Sequence, residues 1–220
     1  KENVIMDDQE VEIISSETRK ERIKNFLITN KKKIIITIIF FILILFSFFF
    51  YKEYEKRNKE FLANKYNLTI IEYESGDKSN IITSMKDIIE YKDRTYSPLA
   101  FYYLLDNDLI TSKEEINKYF DLLIDEIGLD IENKNLTIFK KGLFNSDFAN
   151  ENEILNILNP IIKSESIWKP HALYLMAEYY FAKKEKQKSK EFLDQLISLK
   201  NINQKIKLEA QKRLRSDFSE

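Results

Sequence analysis

The segment that decides the fold is Lys31–Arg57, KKKIIITIIFFILILFSFFFYKEYEKR, in which 18 uncharged residues separate three lysines from a run of mixed charge. As a helix, the uncharged residues 34–51 would be about 27 Å long, close to the roughly 30 Å hydrocarbon core of a bilayer. Fifteen of these residues are Ile, Phe or Leu, and such residues favour insertion by several kcal/mol in total. The segment therefore predicts a single transmembrane helix over residues 34–51.

Two other interpretations of this segment fit its composition less well. A buried helix of a soluble protein that is apolar all round would need a large core on every side. A cleaved signal peptide has a shorter apolar region of about 7–15 residues, followed by a cleavage site with small residues. This apolar run instead ends in the large residues FSFFFY. We therefore predict an uncleaved signal-anchor.

The distribution of Lys and Arg around the span predicts its orientation. Residues 19–33 hold seven of them and residues 52–66 hold five. The side of the membrane with more Lys and Arg stays in the cytoplasm, whereas a long C-terminal domain translocates largely regardless of its charge. We therefore predict a cytoplasmic N-terminus and a C-terminal domain, residues 52–220, outside the cytoplasm.

The residues before the span divide into two segments of opposite charge. Residues 1–17 are acidic, which predicts a disordered cytoplasmic tail, or alternatively a short docking segment for a cytoplasmic partner. Residues 18–33 are basic and carry Ile23, Phe26 and Leu27 at helical spacing. This pattern predicts a juxtamembrane helix whose apolar side lies on the anionic inner leaflet.

The composition of the whole chain predicts an all-α protein. Three Gly and three Pro in 220 residues are fewer than sheets and long loops need, whereas stacked helices need few. The 35 Lys and Arg nearly balance the 36 Asp and Glu, which argues against nucleic-acid binding. Because the chain has no Cys, thiol catalysis, disulfides and cysteine–zinc sites are excluded.

The C-terminal domain carries the boundary signals of a series of helices of about 12–16 residues. The helix of the span is expected to continue outward and to end near Gly76, and Ser97-Pro98 predicts an N-cap followed by a helix start. Either Thr111 or Ser112 could open the next helix with a capping box. Further signals are a stop near Gly128, a kink or early end at Pro160 and a start at Pro170. The apolar sides of such helices can be buried in an open superhelix or in a closed bundle.

The most specific pattern in this domain begins at Pro170. A tetratricopeptide unit has a small residue where its first helix packs on the second, an aromatic residue three positions later and another small residue on the second helix. Ala177, Tyr180 and Ser189 occupy these positions, and Lys184 stands where the turn glycine is expected. The segment resembles a degenerate tetratricopeptide repeat, which implies that these residues pack a stack of antiparallel helix hairpins together. Residues 79–105 resemble a second, weaker repeat.

A short tail, one span and a helical-repeat domain together resemble the bitopic inner-membrane proteins with a periplasmic tetratricopeptide-like domain, including the ancillary subunit of the SecYEG translocon. The resemblance implies a bacterial inner-membrane scaffold without catalytic residues or cofactors, whose partners are translocon subunits or periplasmic chaperones. An alternative is a fixed accessory subunit or assembly factor of a large membrane complex.

In each of two aromatic runs, at least one residue should border a groove or partner surface, since three consecutive helical residues cannot all face inward. These partner-facing candidates are Phe101, Tyr102, Tyr103, Tyr179, Tyr180 and Phe181.

Residue patterns for catalysis or metal binding are weak. His171 is the one histidine in the chain and has no Ser-His-Asp or His-x-x-x-His spacing around it, so we interpret it as a boundary residue. Asp121 and Asp125 are one helical turn apart, and a cation site would need further oxygen ligands around them. We expect a solvated acidic surface there, and we predict that the protein is not an enzyme.

Overall fold

The computed structural model describes residues 8–76, 80–200 and 202–218, with side chains described from residue 18 onward. Within these residues the secondary structure is entirely helical, as predicted. The helices are α1 (Asp8–Thr29), α2 (Lys31–Glu74), α3 (Ile81–Glu90), α4 (Tyr96–Asp106), α5 (Lys113–Asp125), α6 (Ile131–Asn145), α7 (Glu151–Ile162), α8 (Lys169–Ala182), α9 (Lys186–Ser198) and α10 (Gln204–Phe218). The chain divides into two units, Lys1–Glu60 and Phe61–Glu220.

In the first unit, α1 begins ten residues before the predicted juxtamembrane segment. It starts at Asp8, so part of the segment for which we expected disorder is helical, and residues 1–7 lie outside the described residues. The boundary with α2 is a turn at Asn30, whose side-chain amide donates to the carbonyl of Phe26 at 3.0 Å. The apolar side chains predicted to lie on the leaflet, Ile23, Phe26 and Leu27, are all exposed.

Helix α2 contains a candidate membrane span. Its most apolar 18-residue window has a mean hydropathy of 3.0, and none of that window is buried. The absence of burial within this window disagrees with a core helix of a soluble protein, the first alternative considered for this segment. As expected, the helix continues past the apolar residues, and it ends at Glu74 just before Gly76, which has a φ of +107°. Such a positive φ is readily adopted by glycine.

In the second unit, α3 to α10 form a stack in which helices adjacent in sequence contact one another. Three to six residues connect each helix to the next, which is typical of helix hairpins. Gly142 allows a close approach of α6 to α7, because a Cβ at this position would lie 2.5 Å from Cδ2 of Leu158. The helical stack predicted from composition and periodicity is therefore present.

The core of this unit consists of three clusters that follow one another along the stack. The first is built mainly by α2 to α5, the second by α6 to α8 and the third by α8 to α10. Ile124 packs against both the first and the second cluster, and Ile162 and Phe192 pack against both the second and the third. No single helix could bury its apolar side alone, so each cluster depends on at least three helices.

The local signals in the sequence located the helix starts with mixed success. Ser97 is not the N-cap of α4, because the helix already begins at Tyr96. Instead Ser97 is buried and its hydroxyl donates to the carbonyl of Ile88 at 3.0 Å, which ties α4 to α3. The carboxylate of Asp93 accepts from the backbone N–H groups of Thr95 and Tyr96, both at 2.8 Å. Ser97, which its local spacing predicts to be an N-cap, instead forms a hydrogen bond to a neighbouring helix.

At α5 and α7, the cap spacing agrees with the structure. Of the two alternatives at α5, Ser112 is the N-cap, and its hydroxyl accepts from the N–H of Glu115 at 3.2 Å. Helix α7 has a full capping box of Asn150 and Glu153, which the sequence reasoning missed although its spacing is the same. Pro160 lies inside α7, and the helix ends two residues later at Ile162.

Candidate functional site

The three residues assigned to repeat packing lie together between α8 and α9. Ala177 and Ser189 are buried, and the Ser189 hydroxyl donates to the Ala177 carbonyl at 2.8 Å. The ring of Tyr180 stacks on that of Phe192 with 5.5 Å between centroids. Small side chains at 177 and 189 let the two helix backbones approach closely enough for this hydrogen bond.

The first run of aromatic residues does not present three side chains to a partner. Phe101 is fully buried and packs edge-to-face on Phe120, so its assignment as a partner-facing residue was wrong. Tyr102 and Tyr103 are half-buried. The Tyr102 hydroxyl is 3.1 Å from the Thr137 hydroxyl, and the ammonium of Lys140 lies 3.5 Å from the centre of its ring. Burial, the leading cause, lowers the pKa of Lys140 at this position.

The second aromatic run is also largely core. Tyr179 and Tyr180 are buried, which corrects their assignment as partner-facing residues. The Tyr179 hydroxyl donates to the Ala149 carbonyl at 3.0 Å. Phe181 is half-buried, and its outer surface is contacted by the ring of Phe218 and by the guanidinium of Arg213. Tyr102, Tyr103 and Phe181 thus remain the partly exposed members of the two runs, and their contact with a partner stays a prediction.

A cluster of polar groups holds the start of α7 against α8 and α9. The carboxylate of Glu151 accepts from the Lys188 ammonium at 2.8 Å and from the Tyr180 hydroxyl at 2.9 Å. Both hydrogen bonds, led by that from Lys188, hold the pKa of Glu151 below its ordinary value. Burial, followed by the hydrogen bond to Glu151, raises the pKa of Tyr180 to about 12. The polar groups of Glu151, Tyr180 and Lys188 are hydrogen-bonded to one another, so the cluster has a structural role and links three helices. We call these three residues the clasp.

An open cleft of about 870 Å³ lies between the α7–α8 connection and the α9–α10 connection. This volume is in the range of ligand pockets, about 300–1,000 Å³. We call it the α8 cleft, because the first turn of α8 forms part of its wall. It is lined by Glu165, Ser166, Ile167, Trp168, Lys169, Pro170, His171, Ser198, Leu199, Lys200, Asn203 and Ile206. Its lining mixes apolar side chains with polar and charged ones, as protein-binding surfaces do.

Hydrogen bonds within the α7–α8 connection and to α6 fix this wall of the cleft. The Ser166 hydroxyl donates to the carboxylate of Glu132 on α6 at 2.7 Å and accepts from the N–H of Trp168 at 3.1 Å. Pro170 then lies in the first turn of α8, close to the helix start predicted from the sequence. The adjacent Ile167 points away from this network and is 68% exposed.

His171 lies in the aromatic wall of the α8 cleft. Its ring centroid is 5.2 Å from that of Trp168 and 5.9 Å from that of Phe139. Nδ1 of His171 is buried and has no hydrogen-bond partner among the described residues. As the third residue of α8, His171 lies in the first turn of the helix, in agreement with its interpretation as a boundary residue.

The acidic pair on α5 is engaged in ion pairs. The Asp121 carboxylate pairs with the Lys141 ammonium, and the Asp125 carboxylate lies 4.0 Å from the Lys134 ammonium. Among the described residues there is no group of three His, Asp or Glu side chains that could hold a metal ion. Both carboxylates are more than half exposed and each pairs with a lysine of α6, so this surface is solvated but its charge is balanced.

A second apolar surface lies on α2, opposite the side that packs on the stack. Phe61, Leu68 and Ile71 are 51%, 57% and 60% exposed, and Tyr91, at the end of α3, is 56% exposed. The rings of Phe61 and Tyr91 are 5.8 Å apart. We call these four residues the α2 stripe. In the structure, Tyr66 and Ile70 pack on the first core cluster, whereas Phe61 and Ile71 do not.

Comparison of the chain with models of known protein families, with curated proteins and with solved structures finds no match. The resemblance to tetratricopeptide repeats therefore remains a prediction based on the pattern of residues 170–199. The functional assignment depends on the surfaces just described and on the candidate span.

Proposed function

We propose that the protein is a membrane-anchored, non-enzymatic scaffold that binds other proteins through its helical stack. The α8 cleft carries this proposal, since it exposes the large apolar side chain of Ile167 beside Trp168, within a wall held by hydrogen bonds. An exposed aliphatic side chain beside a half-buried aromatic ring is the type of surface that a partner side chain can cover.

The candidate span supports the membrane part of the proposal. In this proposal, it inserts in a bacterial inner membrane with the N-terminus in the cytoplasm and the helical stack in the periplasm. Confinement to a membrane raises the local concentration of the scaffold beside a membrane-bound partner, so weak contacts suffice for binding. The partners proposed are subunits of the Sec translocon or periplasmic chaperones, as the resemblance to bitopic inner-membrane proteins implies.

Site-specific photo-crosslinking tests this function. A photoreactive amino acid is placed at Ile167 in the full-length protein in its native membranes, and a control protein carries it at Lys190, an exposed position on α9. Adducts with a translocon subunit or a periplasmic chaperone are expected from position 167 and not from position 190. Neither protein among the adducts, or equal adducts from both positions, would contradict the proposal.

The same experiment distinguishes the scaffold from the fixed accessory subunit. When the protein is irradiated after extraction in mild detergent, an accessory subunit still gives one adduct at constant stoichiometry, whereas a transient scaffold has already lost its partner and gives none. The variant Ile167→Glu should weaken the adduct obtained from a photoreactive residue at nearby Leu199, because a buried carboxylate is costly in an apolar contact.

A further inference from the structure

The part of α2 that begins at Phe61 is apolar on two opposite sides. One side carries the buried Leu62 and the half-buried Tyr66 and Ile70, which belong to the first core cluster. The other side carries Phe61, Leu68 and Ile71, which with Tyr91 at the end of α3 make up the α2 stripe, and all four side chains are more than half exposed. Single exposed apolar residues are ordinary on protein surfaces, but a cluster of four indicates a contact with another molecule.

We propose that the α2 stripe is an interface with a second copy of this chain, with the two α2 helices packed in parallel. The first reason is the spacing of the stripe. Phe61 and Leu68 are seven residues apart, and Ile71 follows Leu68 by three. Apolar residues at alternating three- and four-residue intervals form the seam of paired parallel helices, where side chains of one helix fit between those of the other.

The second reason is a polar residue within the seam. Asn64 is exposed and lies three residues after Phe61 and seven before Ile71, which is the remaining position of the repeat. In a parallel pair of identical helices, each seam residue meets its own equivalent. The Asn64 amide of one copy can then donate to and accept from the Asn64 amide of the second copy, and this pairing would favour one register of the two helices.

The third reason is the charge on either side of the seam. Glu60 precedes the stripe on one side of α2, and Lys65 lies on the other side. In a parallel pair, residues at these positions face each other across the interface. Both side chains also form ion pairs within their own chain. The Lys65 ammonium lies 3.0 Å from the Asp87 carboxylate, and the Glu60 carboxylate lies 3.8 Å from the Lys56 ammonium. Exposed ion pairs add little affinity, so the role of this pair is to favour the parallel orientation.

The size of the stripe explains why the membrane matters for this contact. Half of an aromatic side chain of about 200 Å² is about 100 Å², so the two aromatic and two aliphatic side chains of the stripe bury at most on the order of 400 Å² per copy. That is about half of the 800 Å² or so per partner in a standard interface. Copies anchored through a span all have the same orientation in one membrane, and confinement raises their effective concentration. The contact is therefore expected to form in membranes and to weaken on dilution.

Disulfide crosslinking tests the proposal directly, since the chain has no cysteine of its own. The full-length variants Asn64→Cys and Leu68→Cys are oxidised in liposomes at increasing lipid-to-protein ratios, with Lys190→Cys as the control. The yield of crosslinked dimer is expected to be several-fold higher from positions 64 and 68 than from position 190. This difference should persist when the protein is moderately diluted with lipid. Equal yields at all three positions would mean random collision and would overturn the proposal.

Two further variants test the seam itself. Adding Asn64→Asp to Leu68→Cys places two like charges opposite each other in a parallel pair and should reduce dimer formation several-fold. Adding Leu68→Glu to Asn64→Cys should do the same. Both positions are exposed, so unchanged helical content and thermal unfolding are expected and serve as the folding control. Unchanged dimer yields in both folded variants would overturn the proposal, as would crosslinks from Leu68→Cys in native membranes that contain another protein instead of a second copy.

Discussion

At the scale of single residues, the end of α8 shows how a lysine can occupy a position suited to glycine. Lys184 has a φ of +65°. Its N–H donates to the carbonyl of Phe181, and the N–H of Glu185 donates to that of Tyr180, both at 2.9 Å. This pair of hydrogen bonds is a Schellman motif, in which the residue with positive φ is most often glycine. The sequence resemblance had identified the same position as that of the turn glycine.

Replacing this lysine by glycine should stabilise the fold. A left-handed backbone costs a non-glycine residue about 1–2 kcal/mol, and the greater freedom of glycine in the unfolded chain offsets up to about 1 kcal/mol of the gain. We expect Lys184→Gly to raise the free energy of unfolding by about 0.5–1 kcal/mol, measured by denaturant titration of the full-length protein. Lys183→Gly is the matched control, since Lys183 has a φ of −78° and should gain nothing.

Burial and exposure were predicted wrongly where they depend on contacts between residues that are distant along the chain. Phe101 belongs to a hydrophobic run on α4, and only the approach of α5 decides that it packs on Phe120. Ile167 was missed because it lies in a connection, where an apolar residue has no periodic pattern to mark its exposure. Its position directly before a predicted helix start was the one available signal.

At the scale of helices, the clasp at Glu151 makes the packing of α7 on α8 and α9 sensitive to pH. The pKa of Glu151 is lowered in the folded state, so its contribution to stability is present above the ordinary carboxyl range and is lost as the pH falls through that range and below. The groups that face this carboxylate are Lys188 and Tyr180, and Glu185 shares the Lys188 ammonium at 2.8 Å. Because the ion pair is partly exposed, the effect is modest.

We expect Glu151→Gln to lower the unfolding temperature at pH 7 and to converge with the wild type as the pH falls to about 4 and below. Thermal unfolding of the full-length protein in detergent, followed by circular dichroism at several pH values, measures this. Glu191→Gln is the control, because the Glu191 carboxylate bonds to Gln187 within α9. A constant difference between Glu151→Gln and the wild type across the pH range would show that the carboxylate charge is not involved.

Several helix boundaries were predictable, because they follow from local chemistry. The stops near Gly76 and Gly128 and the start near Pro170 needed only backbone preferences. Which side of each helix is buried was less predictable. Helix α2 carries apolar residues on two sides, and only the packing of α3 and α4 shows that Tyr66 and Ile70 face the core while Leu68 does not.

At the scale of the whole molecule, the all-α class and the candidate span followed from composition and from one apolar run. Because the chain has no cysteine of its own, the orientation of the span can be tested by labelling single introduced cysteines. In spheroplasts, a membrane-impermeant maleimide should label Lys190→Cys, whereas Lys24→Cys in α1 should react only after detergent is added. The opposite labelling pattern would place the helical stack in the cytoplasm and would contradict the proposed periplasmic partners.

The sequence could not identify the α8 cleft, because its walls come from two connections that are separated by more than 30 residues. Trp168 and His171 are near neighbours in sequence, but Leu199 and Ile206 reach the cleft only through the packing of α9 and α10 on α8. A stack of helices thus creates surfaces at its connections that no single helix pattern contains.

The division of the core into three linked clusters also implies a graded resistance to local opening. Helix α10 has Ala210 as its one buried residue, whereas α8 has seven and contributes to two clusters. Regions with few buried contacts open with the lowest free energy. In native-state amide exchange, we therefore expect α10 to exchange well before α8, so that the stack unzips from its C-terminal end. Each such opening would uncover Leu173 and Leu196 and briefly give the stack a free apolar end.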